Sequence, residues 1–366
     1  MLVLVTDYPR PDGYRNLIYI HVRNKYYKRN GIDVSVLNFR ATENYLIDGI
    51  PVITLEDYQN NERKYDILIC HAPNIRNHYR FLRKNEKSFA KMVFFFHGHE
   101  VVKINAIYPK PYDYKKQSFV AKLLFQDLYD AFKLKIWYNY FPKIAYKSHF
   151  IFVSRWIYIE FMHWTRIKSS VLEGKYSIIH NGVGKIFEEE SYKPEANKIY
   201  DFITIRGNID GSSYCIDIVN KLAKNNPHLK FLIIGRGEFF NHVEKADNVT
   251  WMDRQLSHED IIDLLDKSKC GLMPTRQDTQ GVMTCEMAVF GLPVITSDID
   301  VCHEILDDFE NVELISNNNM DVDLKSILER LTTHAPYNQN NRYFEDNTSG
   351  AEVELYRNIW LGGTTS

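Results

Sequence analysis

The sequence predicts an α/β protein of two doubly wound parallel sheets, and three observations carry that expectation. Short apolar runs alternate with helix-length segments along almost the whole chain, as in strand–helix–strand units whose parallel strands are covered on both faces. A chain of 366 residues, 45% hydrophobic, exceeds one ordinary core, so two domains of about 150 to 190 residues are the natural division. A charged stretch containing Pro194, Glu188 to Asn197, interrupts the alternation near the middle and marks the expected junction.

Taken in order, Leu2–Val5 opens the first sheet. The residues from Met1 to Asp7 include no basic leader and no small-residue cleavage site, so they read as a strand rather than a signal peptide. Val34–Leu37, Ile67–Cys70, Met92–Phe96, His149–Val153 and Ser177–Ile179 follow as strands of the same half. Beyond the junction come Phe202–Ile205, Phe231–Ile234, Val249–Trp251, Gly271–Met273 and Val294–Thr296. A last periodic segment, Ala351 to Trp360, has the apolar face of a helix. The expected division is residues 1–187, residues 188–342 and a terminal segment 343–366. No short internal repeat is present, and Asn317 to Asn319 is the single low-complexity hint.

Composition narrows the function. A net charge of −2 argues against a global nucleic-acid footprint. The five cysteines, Cys70, Cys215, Cys270, Cys285 and Cys302, are odd in number, scattered and without a Cys-x-x-Cys pair, which fits reduced thiols in a cytoplasmic protein better than disulfides or zinc. No apolar run reaches membrane-spanning length. Asp298-Ile-Asp300 and Asp321-Val-Asp323 read as turn and helix caps, so no metal and no other cofactor is expected.

The stretch from Pro274 to Asp298 says most about chemistry. Leu272-Met-Pro274 ends one buried strand and Pro293-Val-Ile-Thr296 begins the next, so a loop and a crossover helix lie between. Gly281 lets the loop backbone approach a ligand, and a helix opening at Val282 and Met283 presents free N–H groups and a positive dipole end, suited to a diphosphate. Asp278 and Glu286 flank that position; carboxylates accept hydrogen bonds from sugar hydroxyls and would repel an anion. Taken alone, the same residues also read as a loop cap, a helix acid and a turn.

The spacing from Asp278 to Glu286 resembles the E-x7-E signature of family-4 retaining glycosyltransferases of the GT-B fold, with Asp278 in place of the first Glu. Gly281, Glu286, Gly291-Leu-Pro-Val294 and Glu304 also fall on family positions. Thr279 stands where the family usually has glycine, and Asp300-Val301 replace a glycine pair. The resemblance implies two Rossmann-like domains facing a cleft, an acceptor-side domain first and a nucleotide-sugar domain second, with the terminal helix crossing back to the first. It further implies transfer of a sugar from a nucleotide diphosphate donor to a hydroxyl of a glycan or lipid-linked acceptor, with retention and without metal, as in polysaccharide biosynthesis. Under it Glu286 holds ribose and Asp278 grips the donor sugar.

Arg206, in Ile205-Arg206-Gly207, matches the family's leaving-group cation, while Gly211 stands where a Lys is expected five residues later. Such a pair neutralises the diphosphate as the sugar bond breaks; outside the resemblance, Arg206 reads as a surface arginine. Gly235-Arg236-Gly237 reads as a tight strand-to-helix turn or a phosphate contact. Val249 to Arg254 resembles the segment whose backbone reads the base, with Arg254 placed to cover one face of it. In the first half, His97-Gly98-His99-Glu100 ends a hydrophobic strand at the edge where open α/β sheets bind ligands. It resembles the family's His-Gly-x-Asp/Glu segment, which sets His97 beside the donor sugar. The loop from Thr6 to Arg15 matches the acceptor loop, with Gly13 allowing close backbone approach or making a plain turn.

From Lys103 to Lys147 nine lysines interleave with twelve aromatics against three aspartates. Cations beside aromatics suit an anionic membrane surface and a peripheral site at the inner membrane face; the same residues also read as core aromatics and solvated lysines. Gly211 and Asp278 leave open a non-catalytic sugar- or partner-binding subunit. A nucleotide-sugar epimerase of similar architecture is the other alternative.

Overall fold

The computed structural model describes residues 1–14, 16–61, 63–118, 120–334 and 339–360. The chain forms two compact units. The first comprises Met1–Lys103, Asp127–Gly182 and Glu345–Ser366, and the second comprises Ile104–Gln126 and Val183–Phe344.

The first unit holds β1 (Leu2–Val5), β2 (Ser35–Asn38), β3 (Tyr45–Ile47), β4 (Ile50–Ile53), β5 (Ile67–His71), β6 (Lys91–Phe96), β7 (Ser148–Phe152) and β8 (Tyr176–Ile178). Their order is β3-β4-β2-β1-β5-β6-β7-β8, parallel throughout except for the β3–β4 pair. β1 lies between β2 and β5, so the connections leave it in opposite directions and open a crevice at the carboxyl ends of β1 and β5. All six strands expected here are present within a residue or two of their predicted ends. The β3–β4 hairpin is additional; its turn is Asp48-Gly49, both with positive φ, as the favoured two-residue hairpin requires.

Alternation along these strands divides two apolar faces. Val3, Val5, Val36, Ile69, Val93 and Phe95 pack with Ile20 and Tyr27 of helix Ile18–Arg29 and with Val353 and Tyr356 of helix Ser349–Trp360. The opposite face is aromatic: Phe96 lies with ring centroids 5.0 Å from Phe152 and 5.0 Å from Phe161, and Phe94 lies 5.2 Å from Phe141. Helix Ser349–Trp360 is held by a buried ion pair, Arg23 Nε to Glu352 Oε1 at 3.0 Å, with Tyr27 donating to the other carboxylate oxygen. The terminal helix therefore belongs to the first unit, as expected.

The second unit holds β9 (Tyr200–Asn208), β10 (Phe231–Arg236), β11 (Val249–Met252), β12 (Ser268–Leu272), β13 (Val294–Ser297) and β14 (Val312–Ile315). The order β11-β10-β9-β12-β13-β14 is wholly parallel and reverses between β9 and β12. The five expected strands are present; β14 is the addition. The chain passes between units at Gly182–Val183, and the charged stretch beyond packs on the second unit through Tyr192, whose hydroxyl donates to Ser268 O at 2.9 Å.

The lysine- and aromatic-rich region serves several ends. Tyr112 and Tyr114 pack on the second unit's core, Tyr112 donating to Asp217 and Tyr114 to Asp210. Trp137, Tyr140 and Phe141 are core of the first unit. Lys133 is buried too, donating to His99 O, Val102 O and Asp130 Oδ1. Leu128, Phe132, Tyr138 and Tyr146 remain exposed. The side chains of Lys116, Phe119 and Lys122 lie outside the described residues. No helix among the described residues is long and apolar enough to cross a membrane. All five cysteines are buried free thiols.

Candidate functional site

In the second unit the site grows from the switch point between β9 and β12. Arg206 ends the buried part of β9, 7% exposed. Its Nη2 donates to Pro274 O at 2.7 Å, its guanidinium lies 5.3 Å from the Tyr214 ring centroid, and Nε is buried without a partner. Burial lowers its pKa, opposed chiefly by the charge of Asp278. Gly235 is what allows this placement: a Cβ there would sit 2.2 Å from Arg206 O. Gly235 is thus a spacer beneath Arg206, and Gly237 fills the same need against Ile209 and Asp210.

The loop after β12 is pinned on several sides. Thr275 N–H donates to Ser297 Oγ at 2.8 Å, Asn317 Nδ2 donates to Thr275 O at 3.0 Å, and Arg276 N–H donates to Ser213 O at 2.9 Å. Arg276 also forms a bidentate pair with Asp217 at 2.9 and 2.6 Å. With Tyr112, Tyr114 and Phe239, these two residues line an open cavity of about 1020 Å³. Asp278 Oδ1 then accepts from the backbone N–H of Thr279, Gln280 and Gly281 at 2.7, 3.2 and 2.9 Å. This carboxylate shapes the turn with one oxygen and keeps Oδ2 for other partners.

Gly281 follows with φ 68°, the left-handed conformation that suits glycine, and starts helix Val282–Phe290. The helix returns its first N–H groups, those of Thr284 and Cys285, to Gly281 O. Val282 and Met283 are left with amides that no helix bond can use. One turn on, Glu286 is 5% exposed and its Oε1 accepts from Gly184 N–H at 3.0 Å. Burial pushes its carboxyl up to about 7.

Gly211 is explained by Tyr214. Its φ of −78° suits any residue, but a Cβ would meet the Tyr214 ring at 2.9 Å. The aromatic ring fills the space in which a lysine side chain would begin. Tyr214 was invisible to motif reading because its role depends on touching Arg206. Arg254, just beyond edge strand β11, is exposed, with β10 and β9 between its strand and β12.

In the first unit the equivalent edge carries Asp7, His71 and His97. Asp7, past β1, is buried and accepts from Tyr8 N–H at 2.9 Å and from Tyr14 Oη at 2.6 Å, with Arg40 at 3.2 Å. Gly13, φ 96°, turns this loop and has open space where a Cβ would be. His97 follows β6. Glu100 fixes its backbone, accepting from the N–H groups of His97 and Gly98 at 3.2 and 2.6 Å. Glu100 is therefore a turn former and His99 an exposed neighbour. His97 Nε2 lies 3.2 Å from Nδ1 of His71, the last residue of β5. Burial, then the charge of Arg23, lowers His97 to about 3, so it is neutral. Among the described residues no cluster of three His, Cys, Asp or Glu side chains could hold a metal ion.

The shifted Glu286 carries a stability signature. A carboxyl raised on folding from its ordinary value near 4.5 to about 7 contributes stability that is full below about 4.5 and lost as pH rises through about 7. Glu286→Gln, uncharged throughout, escapes that loss. Its unfolding free energy, compared with the unaltered protein at pH 5 and pH 8, is expected to shift in the variant's favour by about 2.5 kcal/mol. An identical difference at both pH values would show that Glu286 titrates normally.

Residues 202–334 match the family described as Glycosyl transferases group 1. No curated protein matches the chain in sequence. Among solved structures, sucrose-phosphate synthase from Thermosynechococcus elongatus superposes with a TM-score of 0.72 at 12% identity, over 99% of each chain. A glycosyltransferase from Rickettsia africae gives 0.62 at 15% identity over 98% of each chain. WaaG, a glycosyltransferase involved in lipopolysaccharide biosynthesis, gives 0.62 at 13% identity over 99% of this chain and all of its own. The two sheet units have the GT-B fold, and the family match falls within the second unit.

Proposed function

We propose that the protein moves a sugar from a nucleoside diphosphate to a hydroxyl acceptor, with retained anomeric configuration and without a divalent metal. The observation that carries this reading is Arg206, a buried cation whose Nε has no protein partner. It belongs to the same switch point as the helix that leaves the Val282 and Met283 amides open. A diphosphate supplies the charge and the acceptors that these groups lack. Within the second unit, Glu286 Oε2 accepts from ribose hydroxyls and Asp278 Oδ2 from the donor sugar; in the first unit, His97 is the side chain suited to bond a sugar hydroxyl. Arg254 covers the base, Gly235 leaves room for the Arg206 backbone, and in the first unit Gly13 lets the loop backbone approach a ligand.

Chemistry then rests on positioning and on charge stabilisation. The bond from the anomeric carbon to the diphosphate oxygen breaks as the acceptor oxygen bonds on the same face. The acceptor's proton passes to the departing phosphate oxygen. With Tyr214 where a second cation is expected, Arg206 and the helix amides take the growing negative charge. Arg206→Ala is expected to lower turnover about a hundredfold while weakening donor binding much less, and a chelator is expected to leave the rate unchanged. Assay of the purified protein against nucleotide sugars decides the class. Donor binding without transfer or hydrolysis identifies a sugar-binding subunit, and release of an epimerised free sugar identifies an epimerase.

The acceptor is proposed to be lipid-linked and reached from an anionic membrane surface. Leu128 and Phe132, 69% and 60% exposed, lie one turn apart on helix Val120–Ile144, with Lys135 and Lys143 exposed further along it. Apolar anchors among cations suit an interface of anionic lipid. Co-sedimentation with phosphatidylserine vesicles, but not neutral ones, is expected, and Leu128→Glu with Phe132→Glu should abolish it. Equal recovery with both vesicle types would contradict it.

A further inference from the structure

The geometry points to His71 as a positioning residue that donates its Nδ1–H to His97 Nε2, holding His97 in the tautomer that presents Nδ1–H outward as a hydrogen-bond donor. The inference rests on the reading of His97 as a donor-sugar contact. Its structural half stands apart from that reading.

His71 ends β5, beside β1 at the reversal of strand order, and β6 sets its ring against Phe95 with centroids 4.3 Å apart. The Nδ1–Nε2 distance of 3.2 Å to His97 is a hydrogen bond whose direction the two tautomers decide. His71 Nε2 is buried without a partner. If His97 were the donor, neutral His71 would have to carry its proton on that sealed Nε2, leaving an orphaned N–H, which is rarer and harder to tolerate than an unused acceptor. If His71 donates from Nδ1, the sealed atom is only a lone pair.

Charge keeps both rings singly protonated, which the choice between tautomers requires. Burial, then His97 and Arg23, hold His71 well below the usual histidine range, so neither ring carries a second proton near neutrality. Arg23 is fixed close by, its guanidinium 5.7 Å from the Phe95 ring centroid and bonded to Glu352 and Asn181. Near this cation a second proton on either ring is unfavourable.

His97 Nε2 is then the acceptor, and its proton resides on Nδ1. That atom has no protein partner among the described residues and is not among the atoms sealed from solvent. It is a donor suited to a hydroxyl or carbonyl oxygen of a sugar. The opposite tautomer would offer an acceptor at the same place, so His71 selects which ligand oxygens are tolerated there.

A long-range proton–nitrogen correlation spectrum of the ¹⁵N-labelled full-length protein, without substrate, tests the pair. His97 is expected to show a protonated Nδ1 and a bare Nε2. His71→Phe, which keeps a flat ring but no donor, is expected to release His97 to the Nε2–H form that histidine favours in water and to lower turnover roughly tenfold, the value of one hydrogen bond. His71→Asn, with an amide N–H near the Nδ1 position, is expected to restore both. A protonated Nε2 on His97 in the unaltered protein overturns the proposal, as does a His71→Phe variant with unchanged tautomer and turnover. Absence of any sugar transfer by the unaltered protein would overturn the transferase reading instead, and the substrate-free spectrum tells the two failures apart.

Discussion

A guanidinium held almost out of water with too few partners is the constraint around which the second unit is arranged. Burying an unpaired charge is expensive, and among the described residues Arg206 receives one backbone carbonyl, an aromatic face and, foremost among nearby charges, the field of Asp278. The surroundings make any other position for it difficult. Gly235 brings the next strand hard against its carbonyl, Tyr214 covers it, and the Pro274 loop that partners it is tied to β13 through Ser297 and to the segment after β14 through Asn317. Such rigidity has a use if an anion completes the set, since groups fixed beforehand need not reorganise when charge develops.

The first unit treats a buried arginine differently. Arg23 meets a full carboxylate and an amide oxygen, so its charge is paired, and it ties the terminal helix to helix Ile18–Arg29. Its influence on chemistry is indirect: together with burial, its field keeps His71 and His97 neutral. One arginine is fully paired within the protein, while the other keeps a buried Nε without a partner among the described residues.

Much of this was legible in the sequence because buried parallel strands are near-continuous apolar runs. Leu2–Val5 was read to the residue, and Met92–Phe96 and Phe202–Ile205 lie inside β6 and β9. The β3–β4 hairpin escaped because its strands are three and four residues long, although Asp48-Gly49 is a strong turn signal. β14 escaped because Val312-Glu-Leu-Ile315 is too short and mixed to stand out. Around the site, spacing marked Asp278, Gly281 and Glu286 because one loop and one helix carry all three. Residues whose roles arise from contacts distant in sequence were not legible: Tyr214 against Arg206, His71 against His97, and Tyr112 against Asp217, 105 residues apart. The asparagines from 317 to 319 read in sequence as a low-complexity hint, whereas Asn317 braces Thr275.

The most direct test of a site built around an incompletely partnered cation is heat denaturation of the unaltered protein and of Arg206→Gln, each with and without a nucleoside diphosphate. That ligand carries in full the charge that develops on the leaving group during transfer. At a concentration about a hundredfold above its dissociation constant it should stabilise the unaltered protein by about 2.7 kcal/mol. The variant, relieved of an unpaired buried charge, is predicted to melt no lower than the unaltered protein without ligand and to lose most of the ligand-induced shift. A variant that melts lower and keeps the full shift would show that Arg206 is a structural arginine and that the diphosphate binds elsewhere.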